Sequence, residues 1–189
     1  IRADMDSEKI RKYWDERAAG DLTAQSTTQD YFMRQIESRV LTEAIDQYHP
    51  LSVIDIGCGD ARTTIKLAAA HGAILFFGCD YSKAMVENAR GNLAMANIAN
   101  LTVGLSDILS PISGKFDMAY TTRCLINLPD WELQKKAIKH IHELLNVGGI
   151  YVLIENFIES HDKFNHVREA FGLALISIRE HNLFFKREQ

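Results

Sequence analysis

The chain has 189 residues, 47% hydrophobic and 24% charged, with a formal net charge of −4, which fits one domain with a substantial core. No apolar run approaches the ~18 residues that span a bilayer, and no lysine/arginine run exists to capture nucleic acid by charge alone, so neither a membrane span nor a nucleic-acid partner is expected. Cys58, Cys79 and Cys124 are odd in number and lack C-x-x-C spacing, against a disulfide framework or a zinc site. The charged stretch 1–12 does not read as a signal peptide, so a reducing cytoplasm is the expected location. An initial Ile in place of Met suggests that the sequence begins inside a longer gene product.

Residues 5–18 are predicted helical, with Ile10, Tyr13, Trp14 and Arg17 along one side. A second helix is predicted from Thr27 or Thr28 to Tyr48, opened by a capping box in which Thr27 pairs with Asp30. It carries an apolar stripe of Phe32, Ile36, Val40, Ala44 and Tyr48 and ends at Pro50. From there strand and helix alternate, which predicts a parallel sheet covered on both faces. The strands are 51–56, 73–79 ending at Asp80, 101–105 ending near Asp107, and 116–121. The helices are 61–71, 82–96 with Ser82 as N-cap, and 131–145. Asn146-Val147-Gly148-Gly149 is predicted to close the last of these with a glycine cap and to feed a fifth strand, 150–154. Residues 162–171 are predicted helical, and 173–185 mixed, with a further strand near 175–179. The expected organisation is a helical cap or lid over residues 1–49 and a doubly wound Rossmann-like α/β core over 50–189.

The most informative stretch is Val53-Ile54-Asp55-Ile56-Gly57-Cys58-Gly59-Asp60-Ala61. An apolar strand runs into a turn with two glycines, and a helix follows at once. Such a turn lets a ligand approach the backbone, and its N–H groups and those of the new helix are expected to face that ligand. About twenty residues on, Asp80 ends the next strand, where an acidic side chain can hold both hydroxyls of a ribose. A nicotinamide fingerprint, G-x-G-x-x-G, fails because Arg62 stands at its third glycine.

The stretch instead resembles the first motif of class I S-adenosylmethionine-dependent methyltransferases, E/D-x-G-x-G-x-G. Asp55, Gly57 and Gly59 match, and Ala61 replaces the last glycine. The loop Thr121-Thr122-Arg123-Cys124-Leu125-Ile126-Asn127-Leu128-Pro129-Asp130 is similar to the family's segment after strand four. The run Leu144-Leu145-Asn146-Val147-Gly148-Gly149 is similar to its L-x-P-G-G approach to strand five. The resemblance covers roughly Tyr13 to Glu155 and implies S-adenosyl-L-methionine as cofactor. It assigns Asp55, Gly57, Cys58, Gly59, Asp80, Tyr81, Met85 and Thr122 to cofactor binding. It also places Asp107 at the adenine amino group and Ile108 on the ring, with Tyr13 and Trp14 as a lid.

No D/N-P-P-Y/W follows strand four and no Pro-Cys pair exists, which sets aside the amino-methylating and cysteine-adduct enzymes that act on nucleic acid. Glu155-Asn156 imitates half of a magnesium site, but Thr121-Thr122-Arg123 offers no carboxylate for the other half, so no metal is expected. The implied activity is methyl transfer to an oxygen or nitrogen of a small molecule or saccharide. Glu155, His161 and His166 are the candidate bases. His181 shares the late segment that can line an acceptor pocket, and a structural role is weighed above a catalytic one for each histidine. The alternatives are a catalytically silent scaffold domain of a larger protein and a nicotinamide oxidoreductase. The family finishes its sheet with an antiparallel hairpin, whereas one strand at most follows the last helix here, so the C-terminal strands are expected to be incomplete.

Overall fold

The computed structural model describes residues 6–20 and 30–188. Helix α1 (Ser7–Gly20) and helix α2 (Tyr31–Tyr48) precede the sheet. The predicted side of α1 is the one that packs: Ile10 is buried and Tyr13, Trp14 and Arg17 are partly so. Thr27 and Thr28 lie outside the described residues, and α2 is opened by Asp30 itself, whose carboxylate accepts the Met33 N–H at 2.8 Å. The predicted stripe of α2 is not the buried one. Phe32, Ile36, Val40 and Tyr48 are exposed, Phe32 by 77%, and only Ala44 packs partly on the core. The helix is rotated to bury Glu37, Leu41 and Ile45, because Glu37 reaches an arginine at the functional edge.

Five parallel strands follow: β1 (Ser52–Ile56), β2 (Leu75–Asp80), β3 (Leu101–Leu105), β4 (Phe116–Thr122) and β5 (Leu145–Ile154), in the order β3-β2-β1-β4-β5. Between them lie α3 (Arg62–Ala70), α4 (Lys83–Ala96), a single 3-10 turn at Leu125–Asn127, and α5 (Trp131–Leu144); α6 (Ile158–Ala170) follows β5. Side chains alternate across β1, as the pleat requires. Val53 joins Leu41 and Ile45 of α2, Leu67 and Ala68 of α3, and Val86 and Ala89 of α4. Ile54 and Ile56 join Ala137, Ile141 and Leu144 of α5 on the opposite face. The sheet is therefore doubly wound, as predicted.

The glycine cap predicted after α5 does not form. The helix stops at Leu144 with Leu145 already extended, and Lys115 Nζ donates to the Glu143 carbonyl, supplying the partner that a glycine motif would have given. Residues 145–149 instead bulge along β4, where Phe116 pairs with Leu145 and Met118 with Ile150. A Cβ on Gly149 would lie 2.9–3.2 Å from three backbone oxygens, so that glycine serves close strand approach. The strand expected near 175–179 is also absent. Ile176 exchanges its N–H and carbonyl with the Asn165 side-chain amide (2.9 and 2.8 Å), which holds the segment to α6 without a ladder.

Candidate functional site

The strand order reverses between β1 and β4, and in an open parallel sheet this opens a crevice at the carboxyl ends of the strands. The turn after β1 is locked to the end of β2. Gly57 N–H and Cys58 N–H both donate to the Cys79 carbonyl (2.8 and 2.9 Å), and Gly59 N–H donates to Asp80 Oδ2 at 2.9 Å. Arg62 N–H goes to the Asp60 carboxylate at 3.3 Å. These donors are spent inside the protein, contrary to the expectation that they face a ligand. The turn provides conformation and space instead: Gly57 and Gly59 take φ of 78° and 55°, where a side chain is strained. Ala61, in place of the third glycine, also has positive φ, at 57°.

Asp80 is buried, with Oδ1 accepting Ser82 N–H at 2.8 Å and Oδ2 accepting Gly59 N–H. Burial pushes its pKa up to about 6, against the pull of those N–H bonds. Each oxygen keeps a further lone-pair direction for a ligand. Asp55 does something different from what was expected. It lies beneath the turn, outside the cavity wall, where Thr64 Oγ1 and Tyr120 OH both donate to its Oδ2. Burial pushes it up to about 7.

A cavity of about 300 Å³ opens on the strand ends. Of the predicted cofactor residues, Gly57, Gly59, Asp80, Tyr81, Met85, Asp107, Ile108, Thr122 and Trp14 line it. Asp55, Cys58 and Tyr13 do not. Cys58 points its thiol at Gly78 of β2, and Tyr13 packs on His181 at a tilt, with ring centroids 4.4 Å apart. The opposite wall was less legible in the sequence. Arg123, Asn127, Ser177, Arg179, His181 and Asn182 all face the same cavity. Arg123 and Asn127 fall in the loop after β4 that the family pattern marks, but the segment 176–184 has no periodicity to announce it.

The candidate bases are placed elsewhere. Glu155 is outside the cavity wall and holds the loop after β4, accepting the N–H groups of Cys124 and Leu125 (3.0 and 2.9 Å) on one oxygen and that of Ile126 (3.3 Å) on the other. Burial pushes its pKa up to about 7. His161 is bound through Nε2 to the Ile176 carbonyl at 2.9 Å, and His166 is exposed on α6. Neither lines the cavity. Arg123 follows β4 with φ of 52°, and its guanidinium pairs with Glu37 of α2 at 2.7 and 3.1 Å.

The remaining walls are stitched together. Leu183 N–H donates to the Ile126 carbonyl at 2.6 Å, and Asn182 Nδ2 to Asn127 Oδ1 at 3.1 Å. Helix α1 is pinned to α4 by Ser82 Oγ on Asp15 and by Asn88 Nδ2 on the Ala18 carbonyl. Among the described residues, no group of three or more His, Cys, Asp or Glu side chains could hold a metal ion, and no helix is long and apolar enough to cross a membrane.

A glycine turn after β1, a buried carboxylate closing β2 and a crevice at the topological switch point define an α/β domain built for a nucleoside cofactor. The chain matches the methyltransferase-domain family over residues 49–177. It belongs to the class I S-adenosylmethionine-dependent methyltransferase family. It is 30% identical over 118 residues to carboxy-S-adenosyl-L-methionine synthase of Campylobacter fetus subsp. fetus, covering 59% of this chain and 47% of that protein. It is 33% identical over 110 residues to ribosomal RNA small subunit methyltransferase C of Citrobacter koseri, covering 57% and 32%. It shares its fold with the N-methyltransferase NodS of Bradyrhizobium japonicum, solved with S-adenosyl-L-homocysteine: the TM-score is 0.65 at 19% identity, over 76% of this chain and 71% of that one. The chain spans about half the length, or less, of these curated relatives.

Proposed function

We propose that this chain binds S-adenosyl-L-methionine in the crevice and directs its methyl group to an oxygen or nitrogen of a small molecule or saccharide. The observation that carries the reading is the shared cavity. One wall is the strand-end set Gly57, Gly59, Asp80 and Ile108; the other presents Asn127, Ser177, Arg179 and Asn182.

The residues suit the cofactor. Asp80 retains lone pairs for ribose hydroxyls, Ile108 offers an apolar surface for adenine, and Asp107 stands beside it. Tyr81 OH and Thr122 Oγ1 are buried in the same wall without a hydrogen-bond partner, a condition that native proteins rarely leave unmet. Bound S-adenosylmethionine supplies a methyl group already activated on a sulfonium. What the protein adds is alignment and exclusion of water, and such positioning is worth up to ~7–11 kcal/mol.

Amides, a hydroxyl and a guanidinium on the second wall favour a polyhydroxylated or anionic small acceptor. The net charge of −4 and the cover formed by α1 weigh against a long nucleic acid. Residues 1–49 act in this reading as the cap of a core formed by the remainder. The alternative, a silent scaffold domain, has less support because Gly57, Gly59 and Asp80 are all intact.

Calorimetric titration with S-adenosylmethionine, S-adenosylhomocysteine and NAD tests the cofactor. Micromolar binding of the two sulfur compounds and none of NAD is expected; silence from all three would favour the scaffold. Transfer of label from methyl-tritiated S-adenosylmethionine to panels of glycosides, hydroxy acids and amines, against ribosomal RNA and ribosomal protein, tests the acceptor class. Label in RNA or protein alone would overturn the small-acceptor reading.

A further inference from the structure

Among the described residues, His181 supplies the only imidazole in the cavity wall. The residue is 7% exposed, and its Nε2 is buried with no hydrogen-bond partner. An unpaired buried nitrogen of this kind calls for a hydrogen-bond partner that the protein itself does not provide. Its ring packs against the Tyr13–Trp14 pair, with centroids 4.4 Å from Tyr13 and 6.0 Å from Trp14. The segment carrying it is anchored on both sides, by Asn182 on Asn127 and by Arg179 on the Tyr13 hydroxyl at 3.3 Å.

We infer that His181 is the proton acceptor of the transfer reaction, with Nε2 receiving the proton of an acceptor hydroxyl as that oxygen is methylated. The inference rests on the methyl-transfer reading above. In the step, the bond between the methyl carbon and sulfur breaks and its electron pair stays on sulfur, turning the sulfonium into a neutral thioether. An oxygen lone pair of the acceptor forms the new bond to carbon, and the hydroxyl proton passes to His181, which becomes an imidazolium. Charge and atoms balance without an oxidant, a reductant or a metal.

The surroundings suit that role. Burial, reinforced by the neighbouring Arg179 charge, holds the His181 pKa below its ordinary value, and Glu180 opposes this only in part. The Tyr13 and Trp14 rings contribute no charge. The imidazole is therefore neutral at physiological pH and able to accept a proton. The other candidates are committed: Glu155 to three backbone N–H groups and His161 to the Ile176 carbonyl. Nε2 is buried, so the hydroxyl must displace part of its surroundings to reach it.

Imidazole-¹⁵N NMR of the full chain saturated with S-adenosylhomocysteine tests the assignment, with the His181 signals identified by their loss in His181→Gln. The expected result is an unprotonated Nε2 and a titration below the ordinary value of about 6.5. Both His181→Gln and His181→Phe, the latter keeping a ring against Tyr13, should bind S-adenosylhomocysteine as the wild type does. With an acceptor from the panels above, either variant should lose ~10²–10⁴-fold in kcat together with the acidic limb of the pH–rate profile. A proton resident on Nε2, a titration above 6.5, or an unchanged kcat in either variant would overturn the inference while leaving the cofactor reading intact. Failure of the wild type itself to bind S-adenosylhomocysteine would overturn both.

Discussion

Gly57 and Cys124 pack so closely that a methyl group on Gly57 would lie 2.4 Å from Cys124 Sγ and 2.8 Å from its Cβ. The contact joins the turn after β1 to the loop after β4, the two backbone segments between which the crevice opens. Gly57 also has φ of 78°. Gly57→Ala should therefore cost about 2–5 kcal/mol, combining left-handed strain of ~1–2 kcal/mol with overpacking of ~1–3 kcal/mol. Adding Cys124→Ala removes the sulfur but leaves its Cβ, so the double variant should recover only part. Urea denaturation of the wild type and the two variants measures this; wild-type stability in Gly57→Ala would show that the loop moves aside freely.

Asp80→Ala should weaken S-adenosylhomocysteine binding at least tenfold, about 1.4 kcal/mol. The same change strands the Gly59 and Ser82 N–H groups that Asp80 accepts, so part of the loss would come through the turn. Asp80→Asn separates the two effects, because its one carbonyl oxygen can still accept from a single N–H. If Asp80→Asn were folded and bound the ligand at full affinity, Asp80 would have no role at the ribose.

Carboxylates taken out of water make stability depend on pH, and Glu37, also raised by burial, adds to the effect of Asp55, Asp80 and Glu155. Burial raises Asp55 to about 7, Asp80 to about 6 and Glu155 to about 7. A carboxyl whose folded pKa lies above its unfolded value binds its proton more tightly when folded. Its contribution is complete below the unfolded value near 4 and is lost as the pH rises through about 6 to 7. His181, held below its usual value, acts in the opposite direction on the acid side of about 6.5. The unliganded protein should thus melt higher at about pH 6 than at about pH 8, and Asp55→Asn should flatten the slope. A melting temperature that rises steadily toward alkaline pH would contradict the assignment.

The core was legible because its signals are local. Apolar runs bounded by Gly57, Asp80 and Asp107 mark strands, Ser82 caps its helix as read, and side chains alternating across β1 require helices on both faces. The misreadings share one cause, a distant partner that overrides a local pattern. Glu37 turns α2 away from its own apolar stripe because Arg123 lies 86 residues further on. Lys115 caps α5 from the preceding loop. Glu155 stands at the end of β5, where a catalytic carboxylate would suit, yet three N–H groups of another loop claim it. The cavity wall at 176–184 was opaque because side-chain amides, not a periodic backbone ladder, fix it in place.

The Glu37–Arg123 pair carries α2 into the site. Glu37 is 4% exposed, and burial raises its pKa while Arg123 pulls it down. Removing one partner of a buried pair is costlier than the pair is worth, so Glu37→Ala should lose ~3–5 kcal/mol and Glu37→Gln less. If the pair also sets the loop after β4, Glu37→Gln should weaken S-adenosylhomocysteine binding without touching the cavity. Equal affinity in Glu37→Gln, measured by calorimetry, would confine the pair to stability.

Trp14 offers a direct test of whether α1 acts as a lid. The chain holds two tryptophans: Trp14 lines the cavity, whereas Trp131 packs on Phe185 with ring centroids 6.1 Å apart. Trp131→Phe therefore leaves one indole, at the mouth of the site and edge-on to His181. Its emission should change when S-adenosylhomocysteine binds, and the stopped-flow dissociation rate then reports release from under α1. Trp14→Ala opens that wall, so dissociation followed by ligand displacement should quicken by about tenfold, equivalent to ~1.4 kcal/mol, with little effect on association. Asp15→Ala, which frees the pin between α1 and Ser82, should move the rate in the same direction by a smaller factor. Unchanged release in both variants would mean that α1 packs beside the site without covering it, and His181 would then be reachable without any movement of the helix.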